Sequence, residues 1–128
     1  MIPKVRNGGY IPFFVVERKR SEACFKGCTG LTDISLSSDT KLIGKSAFED
    51  CTALKTVILW GDPNIEDRAF MGCTALDSIS IGSDTEYIGA SAFEGCSNLE
   101  SAILWGSDTK VGKGAFDNCP KLDHVSQW

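Results

Sequence analysis

The sequence predicts an α/β solenoid, a stack of about five repeats of 22–23 residues in which short strands alternate with compact helical turns. Three observations predict it. First, one phrase returns down the chain: Cys24-Phe25-Lys26-Gly27-Cys28, Ala47-Phe48-Glu49-Asp50-Cys51, Ala69-Phe70-Met71-Gly72-Cys73, Ala92-Phe93-Glu94-Gly95-Cys96 and Ala115-Phe116-Asp117-Asn118-Cys119. Its phenylalanines step by 23, 22, 23 and 23 residues. Second, a leucine stands three residues after each of these cysteines, at Leu31, Leu54, Leu76, Leu99 and Leu122. Third, an apolar pair follows at fixed distance, as Ile34 and Leu36, Val57 and Leu59, Ile79 and Ile81, or Ala102 and Leu104. Repetition at a fixed period of this length marks a stacked-coil architecture.

Each part of the unit has its own reason. Residues 1–22 do not fit the repeat; Tyr10, Ile11, Phe13 and Val15 could supply a strand that caps the exposed end of the stack, which terminal units require. The solenoid itself is expected over residues 23–128. The L-x-x-I-x-L part alternates with period two, as a half-buried strand does. The segment after it is rich in turn formers, as in Gly82-Ser83-Asp84-Thr85. Ile43, Ile65, Ile88 and Val111 come five residues before each later phenylalanine, and the A-F-x-x-C part is expected to make one helical turn. A single unit cannot bury its own apolar face, so Phe, Leu, Ile and Cys must each cover their counterparts in the next coil. A two-unit pattern overlies the first: Ile58-Leu59-Trp60-Gly61 recurs 45 residues later as Ile103-Leu104-Trp105-Gly106, which reads as duplication of a pair.

These residues resemble the BspA-like leucine-rich repeat family, whose pattern is close to L-x-x-I-x-I-P-x-x-V-x-x-I-G-x-x-A-F-x-x-C. The match covers roughly residues 23–128. Departures fall on turns and surface more than on core: Ser37, Trp60, Gly82, Trp105 and Trp128 replace the proline, Glu66 replaces one glycine, and Cys24 replaces the first alanine. The resemblance implies a right-handed leucine-rich-repeat solenoid with a parallel sheet on one face and short helical turns and loops on the other. It also implies interaction or adhesion roles, often at a cell surface, with a protein partner such as a host or matrix protein.

Composition excludes several other functions. Residues 1–26 carry six basic against two acidic groups, and residues 27–128 carry seven against fifteen. An acidic body argues against nucleic acid, which needs a basic footprint. The cluster Arg18-Lys19-Arg20 reads as a solvated edge that discourages strand aggregation, with an acidic docking partner as the alternative. The apolar run Ile11–Val16 is too short for membrane insertion or a signal-peptide core. The chain is therefore either cytoplasmic or a piece whose export signal lies elsewhere.

Six cysteines invite a disulfide or metal reading. Five occupy one place in the repeat and should form a column about 4.8 Å apart, one strand spacing. Parallel side-chain vectors suit a disulfide poorly, so reduced, buried thiols are favoured; Cys24 and Cys28, four apart, could also bridge. No paired C-x-x-C or second histidine points to zinc, no calcium-loop pattern surrounds Glu66-Asp67, Asp84 or Asp108, and no cofactor motif is present. His124 is the one histidine, and no catalytic grouping accompanies it, so the chain reads as no enzyme.

The residues between the core positions of each strand should face solvent and stack in rows. One row is Ser35, Ile58, Ser80, Ile103 and Ser126. The next is Ser37, Trp60, Gly82, Trp105 and Trp128, which gathers all three tryptophans of the chain. A third is Asp33, Thr56, Ser78, Ser101 and His124. A contiguous apolar strip on a surface marks an interface, so Ile58, Trp60, Ile103, Trp105 and Trp128 are the candidate binding residues; the alternative is that the indoles fold back and pack within the repeat. Gly82 leaves a gap between Trp60 and Trp105 that is expected to admit a partner's side chain. Two further readings remain beside a protein partner: carbohydrate stacked on the tryptophans, and a homodimer through the apolar strip or through the uncapped edge at Trp128.

Overall fold

The computed structural model describes residues 10–11, 19–20 and 25–128. Phe13, Val15, Arg18 and Cys24 lie outside them. Among the described residues, eleven short strands are all parallel to their neighbours. The front strands are β1 (Tyr10–Ile11), β3 (Asp33–Leu36), β5 (Thr56–Leu59), β7 (Ser78–Ile81), β9 (Ser101–Leu104) and β11 (Val125–Gln127). The back strands are β2 (Lys19–Arg20), β4 (Leu42–Ile43), β6 (Asn64–Ile65), β8 (Tyr87–Ile88) and β10 (Lys110–Val111). Back strands form one five-stranded sheet in coil order. In the N-terminal segment β1 pairs with β3, Tyr10 opposite Asp33, and β2 pairs with β4, Lys19 opposite Leu42. Both pairs keep the 23-residue offset of the repeat, and Lys19–Arg20 is the edge strand of the back sheet.

The core is built from columns of like residues. Phe25, Phe48, Phe70, Phe93 and Phe116 form one continuous pile, with ring centroids 5.0–5.2 Å apart and planes within 6° of parallel. Leucines 31, 54, 76 and 99 and isoleucines 43, 65 and 88 fill the columns beside it, all buried. Fully burying each such side chain contributes about 1.5–3 kcal/mol. The repeat cysteines make another column. Each thiol donates to the carbonyl of the phenylalanine one coil earlier, Cys51 to Phe25, Cys73 to Phe48, Cys96 to Phe70 and Cys119 to Phe93, at 3.2–3.3 Å. All four are unbridged, as is half-buried Cys28. Burial pushes the thiols of Cys51 and Cys96 up to about 12 and raises those of Cys73 and Cys119 as well. They behave as small apolar residues with one weak donor.

The expected helical turns do not form: no helix occurs among the described residues. The reason lies in two left-handed positions per coil. Ser46, Arg68, Ser91 and Gly114 precede each Ala-Phe, and Asp50, Gly72, Gly95 and Asn118 precede each cysteine, all with φ between 57° and 78°. Only three residues separate them, too few for the right-handed run a helix needs. The backbone makes successive tight turns instead, such as Glu49 N to Ser46 O at 3.1 Å and Cys51 N to Phe48 O at 3.2 Å. The phenylalanine amide in the middle points along the stack. Phe48 N donates to Ala69 O, Phe70 N to Ala92 O and Phe93 N to Ala115 O, each at 2.7 Å. Coils are thereby bonded on this side as strands are on the others, and the fold is a parallel-sheet solenoid rather than an α/β one.

Two turn details shape the front. Thr40, Thr85 and Thr109 are buried, and two of them bond down the stack: Thr85 Oγ1 donates to Pro63 O at 2.9 Å and Thr109 Oγ1 to Thr85 O at 2.7 Å. The turn after β5 is one residue shorter than the others, since Trp60 reaches Ile65 in five steps where Ser37 reaches Ile43 in six. At this coil the front face divides into two three-stranded sheets, β1-β3-β5 and β7-β9-β11. Val57 and Leu59 of β5 are only half-buried, whereas their counterparts in β3, β7 and β9 are buried.

Candidate functional site

Alternation along the front strands decides which residues reach solvent. In β7 the burial runs exposed, buried, exposed, buried, and β9 follows the same phase. Strand register then sets the rows. Ser35 lies opposite Ile58, and Ser80 and Ser126 flank Ile103. The tryptophans follow immediately, each carrying the ladder one bond further: Trp60 N donates to Leu36 O, Trp105 N to Ile81 O and Trp128 N to Leu104 O, at 2.9–3.0 Å. The strip Ile58, Trp60, Ile103, Trp105 and Trp128 is thus assembled on one face. Ile58 is 44% exposed, Trp60 69%, Trp105 52% and Trp128 69%, while Ile103 is half-buried.

The indoles neither point freely outward nor fold into the core. Each of two leans back one coil, where its ring N–H finds a serine. Trp60 Nε1 donates to Ser35 Oγ at 2.9 Å, and Trp105 Nε1 donates to Ser80 Oγ at 3.0 Å. The polar handle of each is thereby satisfied while Trp60 stays 69% and Trp105 52% exposed, an arrangement suited to recognition. Trp105 and Trp128 stack at 6.4 Å with planes 20° apart. The serine partners lie 25 residues back, a pairing that only the strand register makes visible.

The gap expected at Gly82 is filled. A Cβ at this position would collide with Asp62 Oδ1, and Asp62 Oδ2 accepts a hydrogen bond from Asp84 N at 3.0 Å. The carboxylate of the short turn occupies the space that a side chain takes in other coils. The row therefore reads Trp60, a carboxylate, Trp105, Trp128, rather than an empty notch between tryptophans. Sequence reasoning missed Asp62; the one-residue deletion beside Gly82 is the signal that could have found it. A groove of about 450 Å³ opens here, lined by Lys41, Trp60, Asp62, Asn64, Asp84 and Glu86 among others.

Other candidates stay dispersed. His124 is exposed just before β11. Among the described residues no three His, Cys, Asp or Glu side chains come together as a metal ion would require, and no helix is long and apolar enough to cross a membrane.

Coils of this length, parallel strands on two sides, stacked phenylalanines and an aromatic row on the front define a leucine-rich-repeat solenoid. The sequence profile of the BspA type leucine rich repeat region matches residues 18–127 in six copies. The chain belongs to that family. The matched span begins inside the N-terminal segment, where β2 already follows the repeat register. Solved structures agree. A leucine rich repeat protein of T. pallidum is 31% identical with a TM-score of 0.76, over 84% of this chain and 50% of that one. A leucine rich cell surface protein of Faecalibacterium prausnitzii A2-165 is 26% identical with a TM-score of 0.77, over 92% and 32%. A leucine-rich repeat protein of Bacteroides ovatus ATCC 8483 is 25% identical with a TM-score of 0.72, over 91% and 33%. The chain spans half or less of each of these proteins. A comparison with curated proteins gives no match.

Proposed function

We propose that this chain is a non-enzymatic binding module that holds a protein partner against its front face. The observation that carries the reading is the row of exposed indoles, Trp60, Trp105 and Trp128, beside Ile58 and Ile103. Tryptophan is favoured at binding hot spots because it buries much area at little entropic cost. The serine tethers add to this, since a ring held in place before binding loses less freedom on contact. The family, together with a relative described as a cell surface protein, supports an adhesion role toward a host or matrix protein.

The test is binding to a panel of purified extracellular matrix proteins, comparing wild type with Trp105→Ala and Ile103→Ser. Loss of at least tenfold in affinity, with the circular dichroism spectrum unchanged, is expected. Affinities that do not move would remove the front face from consideration. One observation favours a second reading: Trp60 and Trp105 stand two coils apart, roughly 10 Å, and both are exposed, so that sugar rings could stack on them. Binding of neutral oligosaccharides lost in Trp60→Ala would establish it.

A further inference from the structure

We infer that the partner segment held on the front face is basic, with an arginine side chain lying on Trp60 and reaching the carboxylates of the neighbouring turns. The inference rests on the front-face reading and names the chemistry of its occupant. Its first support is the charge frame around the tryptophan row. At the strand entrances stand Asp77, Glu100 and Asp123, against Lys55. At the strand exits each of four successive turns carries one aspartate: Asp39, Asp62, Asp84 and Asp108. Glu86 adds to that side, against Lys41 and Lys110. An apolar strip between two acidic margins presents one sign of charge to anything that docks. Complementary charge then sets partner choice and association rate.

The second support is local. The groove beside Trp60 gathers Asp62, Asp84 and Glu86, with Lys41 alone opposing them, next to an indole fixed by Ser35. A flat aromatic face beside carboxylates is what a guanidinium requires. It stacks on the ring within about 6 Å and spreads five N–H donors in a plane, which suits separated carboxylates. A small metal ion needs its ligands to converge on one point, and these groups do not converge. Asp62 already accepts from Asp84 N through Oδ2, which holds the carboxylate in place at the groove wall. The short turn and Gly82 together create this arrangement, because only glycine at 82 leaves room for the carboxylate.

The test uses the full chain and three synthetic twelve-residue peptides with leucine at alternate positions and arginine, glutamine or glutamate between. All three tryptophans of the chain lie on this face, so intrinsic fluorescence reports occupancy directly, and calorimetry gives affinity. The arginine peptide is expected to bind at least tenfold tighter than the glutamine peptide, with no binding by the glutamate one. Raising salt from about 50 to 500 mM should weaken it at least fivefold, since exposed charges are screened. The double substitution Asp62→Asn, Asp84→Asn keeps size and hydrogen-bonding oxygen. It should cost the arginine peptide about five- to tenfold and leave the glutamine peptide unchanged.

Equal affinity for arginine and glutamine peptides, with both lost in Trp60→Ala and Trp105→Ala, would overturn the basic occupant while leaving the front face as the site. Arginine-peptide binding that survives both tryptophan substitutions and leaves the emission unmoved would overturn the inference and the face together. Failure of all three peptides would overturn the inference. So would light scattering that shows a dimer with the tryptophans hidden, or emission changes with a neutral oligosaccharide alone.

Discussion

Replacing Phe70 by alanine removes the middle ring of the phenylalanine pile. Phe70 is fully buried and stacked on Phe48 and on Phe93, each at 5.2 Å. Truncating a buried phenylalanine costs about 3–5 kcal/mol through lost transfer energy and residual cavity. Each aromatic pair adds about 0.5–1.5 kcal/mol beyond burial, so the loss should lie near the top of that range, about 5 kcal/mol. Phe116 has one ring neighbour, Phe93, and is half-buried. Its truncation should cost about half as much, roughly 2–3 kcal/mol. Phe70→Leu keeps most of the apolar volume and loses both ring contacts, which places it between wild type and alanine. Urea unfolding followed by far-ultraviolet circular dichroism measures the series. With a slope near 2 kcal/mol per molar for a chain of this size, Phe70→Ala should move the midpoint down by about 2.5 M. Equal losses at positions 70 and 116, or a loss at 70 below about 2 kcal/mol, would refute a core built on continuous stacking.

Further outcomes follow from other contacts. Gly89→Ala would place its Cβ 2.5 Å from the backbone of Glu66 and Asp67 and should cost about 2–3 kcal/mol. Gly82→Ala displaces only the Asp62 carboxylate and should cost about 1 kcal/mol, falling to near zero in an Asp62→Ala background, as a double-mutant cycle would read. Thr85→Val leaves the buried carbonyl of Pro63 without its donor and should lower stability by about 1–2 kcal/mol in the same urea assay. The buried thiols also make stability depend on pH. Cys51 and Cys96 stay protonated in the fold up to about 12, while the unfolded chain ionises its thiols near 9. The unfolded state therefore binds fewer protons between those values, and the stability the thiols contribute, fully present below about pH 9, is lost as pH rises through the folded values. Unfolding midpoints measured from pH 8 to 11 should decline, and the decline should be shallower in a Cys51→Ala, Cys96→Ala variant.

The columns were legible because each is a single residue type at a fixed offset. Five phenylalanines stepping by one coil can bury themselves only by lying on one another, and the cysteine and leucine columns follow from the same steps. The solvent rows were legible for a similar reason, since strand alternation leaves the residues between core positions no other side. The nature of the A-F-x-x-C segment was not legible. Left-handed backbone at Gly72 and Gly95 is ordinary, but Ser46, Arg68 and Ser91 adopt it too, and nothing in those side chains announces it. Stacking imposes it, because the amide of each phenylalanine must point at the next coil. The division between β5 and β7 and the filling of the Gly82 space were hidden in one missing residue. Its effect depends on how neighbouring coils approach, which a linear pattern does not carry. Of the basic patch Arg18-Lys19-Arg20, Lys19–Arg20 forms an end strand of the back sheet and Arg18 lies outside the described residues.

The interior sulfur column has a consequence for the conditions the protein can tolerate. Thiol exchange proceeds through an accessible thiolate attacking a second sulfur. Four of the thiols are withdrawn from solvent, held in their neutral form, and each is committed to a carbonyl of the preceding coil. Neither glutathione nor an oxidising catalyst finds a nucleophile there. The column needs no pairing to be correct, so it offers no wrong pairing to be repaired. These four thiols are in the same state in a reducing and in an oxidising medium, so they leave no record of which one the protein meets.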